Sequence, residues 1–208
     1  LYPAITALDA VGPYDVLSRI PGNEVVFVAR ERGEYRTDQA SLGVTADASF
    51  DEVTATDILV VPGGFGSRPL MKDATHLDWV RAVHETTTWT TSVCTGSLLL
   101  GAAGLLDGLD ATTHWASYDL LASTGAIPTA ERVVERGKII TAAGVSSGID
   151  MALTLTAHVG GDDVAKAIQL SIEYDPQPPF DCGSPAKAGP ELVALLRAVT
   201  DDKQAAYR

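Results

Sequence analysis

Residues 89–106 read WTTSVCTGSLLLGAAGLL, and the change of pattern at Cys94 decides the fold. Trp89–Val93 has the composition of a short strand buried within a sheet. From Thr95 the chain turns rich in leucine, alanine and glycine, which predicts a helix over Thr95–Ala103 stopped by Gly104. A strand passing straight into a helix with a cysteine at the join is the pattern of a nucleophile elbow. So sharp a turn needs small residues two before and two after the nucleophile, here Ser92 and Gly96. At a helix N-terminus the positive end of the dipole would favour the thiolate, so Cys94 is the candidate nucleophile.

Working outward, β-rich apolar runs alternate with amphipathic ones, the pattern of a parallel sheet with helices on both faces. Glu24–Ala29 (EVVFVA) and Ile58–Val61 (ILVV) read as strands, and Leu1-Tyr2 as the end of a first strand. Asp73–Thr86 is a helix, with Asp73 as its cap and Leu77, Val80, Arg81 and His84 spaced by three and four. Trp115–Leu121 is expected to be helical, and Arg132–Glu135 and Ile139–Ala142 to form a hairpin around Gly137. Ser147–His158 and Asp162–Ile172 are helices parted by Gly160-Gly161. Asp175–Gly189 is a proline-rich loop, and Pro190–Thr200 a last helix with proline in its first turn. With no repeat or linker, residues 1–208 are expected to form one α/β domain.

The composition is that of a globular protein, 46% hydrophobic and 20% charged. A net charge of −12 argues against nucleic acid, whose phosphates demand a cationic face. No apolar run approaches the roughly 20 residues that would span a bilayer. The chain opens at Leu1 without a methionine, so a short N-terminal piece is expected to be missing. Cys94 and Cys182 form no disulfide framework, which fits a reducing cytoplasm, and no cluster has metal-ligand spacing.

Three further features bear on chemistry. Pro62-Gly63-Gly64-Phe65-Gly66 directly follows the ILVV strand, where glycines let backbone amides approach a ligand. The amides of Gly64 and Thr95 are therefore expected to form an anion hole beside the Cys94 sulfur. Asp9 is a lone carboxylate in an apolar stretch; against the sulfur, burial would raise its pKa and make it a proton donor. Of four histidines, His114 is the plausible pocket residue, while His76, His84 and His158 read as structural. Thr95 rather than histidine follows the cysteine, which weighs against protease-like chemistry.

The ordered set PGGFG, SVCTGSLLLGAAGLLDG, ATTHWASYDLL and GVSSGIDMALTL resembles the DJ-1/PfpI superfamily, and within it the isonitrile hydratase branch. The likeness runs from LDAVGPYDVL to IEYDPQPPF, nearly the whole chain. It implies a flavodoxin-like three-layer α/β sandwich with a mostly parallel sheet, a homodimer, and no metal or organic cofactor. It maps the nucleophile onto Cys94, the carboxylate onto Asp9 and a neighbouring hydroxyl onto Thr95. The implied reaction is hydration of an isonitrile to an N-substituted formamide; the residues themselves fit a route through a Cys94 thioimidate with Asp9 as general acid and then base. Phe65, His114, Trp115, Tyr118 and Ile149 are candidates for the pocket wall. Two rivals share the fold: a cofactor-independent glyoxalase using the same cysteine and carboxylate, and a non-catalytic sensing module like that of AraC-type regulators.

Overall fold

The computed structural model describes residues 1–205 and 207. In chain order the elements begin with α1 (Ala7–Leu17), β1 (Val28–Ala29), β2 (Gly33–Arg36), β3 (Gly43–Ala46), β4 (Ala48–Ser49) and β5 (Ile58–Val61). Next come α2 (Ser67–Leu70), α3 (Ala74–Thr86), β6 (Trp89–Val93), α4 (Gly96–Ala102) and β7 (Asp110–Ala111). A 3-10 turn at Trp115–Ser117 precedes α5 (Tyr118–Ala122), β8 (Ile127–Pro128), β9 (Val133–Arg136) and β10 (Ile139–Ala142). The chain continues through α6 (Ser147–Gly160), α7 (Asp162–Ser171), α8 (Pro185–Ala188) and α9 (Pro190–Ala205).

The central sheet has the order β5-β6-β10-β9. Its first three strands are parallel, and β9 closes one edge antiparallel through the Gly137 hairpin. Strands β6 and β10 are buried on both sides, so they read as continuous apolar or threonine-rich runs rather than alternating ones. One core cluster joins Leu77, Val80 and Val83 of α3 to Leu98–Leu100 of α4 and Leu121 of α5. A second joins Val16 and Leu17 of α1 to Val93, Ile140, and Met151 and Leu155 of α6. Helices thus cover both faces, which makes a three-layer α/β sandwich. Asp73 caps α3 through the backbone N–H of His76, as its position predicts.

Three expectations about elements are corrected. Of Glu24–Ala29 only Val28–Ala29 is paired, with β4. Val25–Phe27 instead runs along a cavity of about 530 Å³, whose lining also includes Ile58–Val61 of β5, and has no ladder partner there. Leu1-Tyr2 is no strand; Ile5 makes isolated bridges to Thr37 and Gly64, and Asp9 stands inside α1 rather than after a strand. Trp115–Leu121 splits into the 3-10 turn and α5, because the His114 ring accepts the Ala116 N–H and tightens the first turn.

Candidate active site

Cys94 sits where β6 ends and α4 begins, with φ +56°, a left-handed conformation that costs a non-glycine residue about 1–3 kcal/mol. Several bonds hold it there. Its N–H donates to the carbonyls of Ala142 and Ala143, both at 3.0 Å, at the end of β10. Its own carbonyl accepts from the hydroxyls of Thr113 (3.0 Å) and Ser97 (3.1 Å). Gly96 is required for a reason beyond closeness to Ser92: a Cβ there would lie 2.0 Å from the Val61 carbonyl oxygen of β5.

The glycines after β5 bring the candidate carboxylate to the sulfur. The Gly63 carbonyl accepts from Thr6 N–H at 2.9 Å, and a Cβ on Gly64 would sit 2.4 Å from the Ala4 oxygen. Gly64 itself has φ +137°. This close backbone approach docks the segment leading into α1 and so delivers Asp9. Tyr2, buried beneath, donates its hydroxyl to the Pro62 carbonyl at 2.6 Å. Asp9 is fully buried. Its Oδ2 accepts from Gly63 N–H at 3.0 Å, while Oδ1 has no such partner among the described residues and the carboxyl faces the Cys94 thiol.

Burial pushes Asp9 up to about 7, against the opposing pull of the Gly63 amide and the Cys94 thiol. Burial also drives the Cys94 thiol above its ordinary value, helped by the Asp9 charge and opposed by the amides of Val145 and Thr95. The expectation of an easily formed thiolate is thereby corrected, because desolvation of a cysteine only 5% exposed outweighs the helix terminus.

The amides at the sulfur differ from the expected pair in one member. Gly64 N–H donates to Thr95 Oγ1 at 2.9 Å, and that hydroxyl donates back to the Gly64 carbonyl at 3.0 Å. The Thr95 side chain therefore clamps the glycine turn rather than the carboxylate. The amides that face the sulfur are those of Thr95 and Val145. Val145 carries φ +32° in the turn between β10 and α6. Nothing in its residue type announces this role, and its only signal in the sequence is its place just after Gly144.

The pocket-wall candidates divide. Ile149 packs with the cluster that contains Cys94 and touches the helix α1 at Gly12, where a Cβ would lie 3.3 Å away. His114 is mostly buried, and its pKa is lowered by burial and by the charge of Arg68, so the imidazole is neutral. Its Nδ1 accepts from Ala116, and among the described residues it bonds neither Cys94 nor Asp9, so no Cys-His pair forms. Phe65 and Trp115 lie under the C-terminal segment: Tyr207 stacks on Phe65 at 5.9 Å, and Arg197 stands 5.6 Å from the Trp115 ring. Tyr118 belongs to neither core cluster, including the one that contains Cys94. His76 stacks edge-on against Phe50, His84 bonds Thr90, and His158 stacks on Trp89, as structural residues do. The described residues contain no group of three metal-ligating side chains and no helix long and apolar enough to cross a membrane.

The raised carboxyl pKa carries a stability prediction. Unfolded, Asp9 loses its proton near pH 4, whereas folded it keeps it to about 7, so the folded state binds more protons in that window. Stability from this group is full below pH 4, falls as pH rises to 7, and stays low above, by about 4 kcal/mol at most. Asp9→Asn is expected to gain stability relative to wild type between pH 5 and 8, measured by urea unfolding at both. An equal difference at the two pH values would contradict the assignment.

The family model of the DJ-1/PfpI family matches residues 2–158. Isonitrile hydratase of Pseudomonas putida is 46% identical over 197 residues, covering 95% of this chain and 86% of that protein. The transcriptional regulator GbdR of Pseudomonas aeruginosa is 30% identical over 84% of this chain but is spanned for only 48% of its own length. A ThiJ/PfpI family protein of Pseudomonas syringae, solved by crystallography, superposes with a TM-score of 0.92 at 35% identity, over 99% of this chain and 85% of that one. The cysteine turn, the glycine clamp and these matches have one reading: the chain belongs to the DJ-1/PfpI family.

Proposed function

We propose that this protein is an isonitrile hydratase, converting an isonitrile and water to an N-substituted formamide at Cys94 and Asp9. The observation that carries this is the buried Asp9 carboxyl, held by Gly63 against the Cys94 thiol with one oxygen unpartnered. The isonitrile hydratase from Pseudomonas putida, 46% identical, supports it.

An isonitrile carbon becomes electrophilic only when protonated. Because burial keeps Cys94 a thiol, the proton must leave sulfur as the carbon receives one. Asp9 relays it: the carboxylate takes the thiol proton and passes it to the isonitrile carbon as the sulfur–carbon bond forms, so Asp9 ends the step ionised as it began. The product is a thioimidate on Cys94. Water then adds to its carbon with Asp9 as base, the carbon–sulfur bond breaks, and nitrogen and sulfur end protonated. The amides of Thr95 and Val145 hold the sulfur while it carries negative charge. Thr95 Oγ1 acts at one remove, by fixing the Gly63-Gly64 turn that positions Asp9. The reading includes a homodimer acting in the cytoplasm without metal or organic cofactor, with Ile149 in the substrate wall.

The reactive form of the pair holds one proton between sulfur and carboxyl. That form predominates above the Asp9 value of about 7 and below the much higher value of the thiol. kcat/KM is therefore expected to rise about tenfold per pH unit below 7 and to level off above it. A profile that falls above pH 7 would mean that the doubly protonated pair reacts. The function itself is tested by formamide formation from para-nitrophenyl or cyclohexyl isocyanide, with lactate formation from methylglyoxal in parallel. Formamide alone supports the proposal; lactate alone transfers the site to glyoxalase chemistry.

A further inference from the structure

Arg68 stands on α2, two residues beyond the PGGFG turn. It is half-buried, yet no carboxylate pairs with it among the described residues, in a chain where acidic residues outnumber basic ones 27 to 15. Its Nη2 donates to Ser117 Oγ at 3.2 Å, and its Nε is buried with no partner among the described residues. The guanidinium lies 5.3 Å from the centre of the Phe65 ring, between the glycine turn and the His114–Ser117 segment. Its charge is felt at Cys94, Tyr2 and His114, on the cysteine's side of the site.

An arginine with an unused Nε and a second free hydrogen on Nη2 offers one edge of the guanidinium as a fork. That edge matches the two oxygens of a carboxylate. A half-buried cation lacking its anion is a costly feature unless the ligand supplies one. Resting on the isonitrile hydratase reading, we propose that Arg68 selects substrates whose N-substituent bears a carboxylate. The group would dock on the Nε–Nη2 edge while the isonitrile carbon meets Cys94. The bland alternative is that Arg68 only ties two loops together through Ser117.

Pairs of substrates that differ in charge and little in shape separate the two. para-Nitrophenyl isocyanide is compared with 4-isocyanobenzoate, and isocyanoacetamide with isocyanoacetate. Wild type is expected to favour the anionic member of at least one pair by about tenfold or more in kcat/KM, the scale of a charge-assisted hydrogen bond. Arg68→Met should reduce that ratio by about 10- to 100-fold, and Arg68→Lys should keep part of it. Since each ratio is taken within one preparation, partial loss of folded protein cancels. A ratio that Arg68→Met leaves within about twofold of wild type, or a wild type that shows no preference for either anion, overturns the proposal.

A second readout needs no turnover. In a Cys182→Ser background, alkylation of Cys94 by iodoacetate relative to iodoacetamide should fall by a similar factor on Arg68→Met. If neither isonitrile pair is turned over, the functional reading fails, and this alkylation ratio alone decides for or against Arg68 as the anion site.

Discussion

Replacing Cys94 by alanine is expected to lower kcat for formamide formation by at least about 10⁴-fold, the scale seen when a covalent nucleophile is removed. No other described side chain can substitute, because Cys182 is exposed in the loop before α8, apart from the buried pair. The fold should survive. Alanine removes one buried sulfur from a site whose geometry rests on backbone bonds to Ala142, Ala143, Thr113 and Ser97. The thiol's hydrogen bond to the Asp9 carboxyl is lost and a small cavity is left, which costs some stability and leaves the fold intact. Unfolding that tracks wild type, together with lost turnover, separates chemistry from folding.

The second large effect is predicted at Gly63, which carries no functional group. A Cβ at this position would stand 2.5 Å from Thr95 N, 2.7 Å from Asp9 Oδ2 and 2.9 Å from Cys94 Cβ. No relaxation of one side chain removes all three contacts, since the nearest is backbone. Gly63→Ala should therefore push Asp9 off its amide, part it from the thiol and displace the Thr95 amide from the sulfur. A displacement of about 1 Å at reacting groups costs on the order of 10²-fold in rate. The expected loss in kcat is about 10²- to 10³-fold, with about 1–3 kcal/mol of overpacking cost to stability. An activity within a few fold of wild type would show that the Gly63 clamp does not set the pair's geometry.

The extent to which this site could be read from sequence follows from how local each signal is. The elbow at Cys94 is a change of periodicity within a dozen residues, so the strand Trp89–Val93 emerges with its predicted bounds. Ile58–Val61 does too, because a buried parallel strand reads as one apolar run. Glu24–Ala29 has the same composition but pairs only at its end, since a ladder depends on a neighbour that local pattern does not supply.

The site is harder to read for the same reason. Cys94 and Asp9 are named by their chemistry and converge in space. The second donor at the sulfur is a main-chain amide at Val145, and an amide exists at nearly every residue. Gly63 and Gly64 were legible as places of close approach, but not what they approach. Both face the N-terminal segment, and Thr95 uses up the Gly64 amide. The thiol's raised pKa was hidden because the helix-terminus argument is local, whereas burial is set by α1, α6 and the sheet together. Arg68 had one available signal, a cation close behind a glycine turn in an acidic chain.

The central claim is that the isonitrile carbon becomes bonded to the Cys94 sulfur before water reaches it. A single turnover of para-nitrophenyl isocyanide with excess enzyme, acid-quenched over time and peptide-mapped by mass spectrometry, tests this directly. The peptide containing Cys94 should gain the mass of one isonitrile and lose it at the rate at which formamide appears. Formamide accumulating while that peptide stays unmodified at every time would contradict covalent catalysis at Cys94.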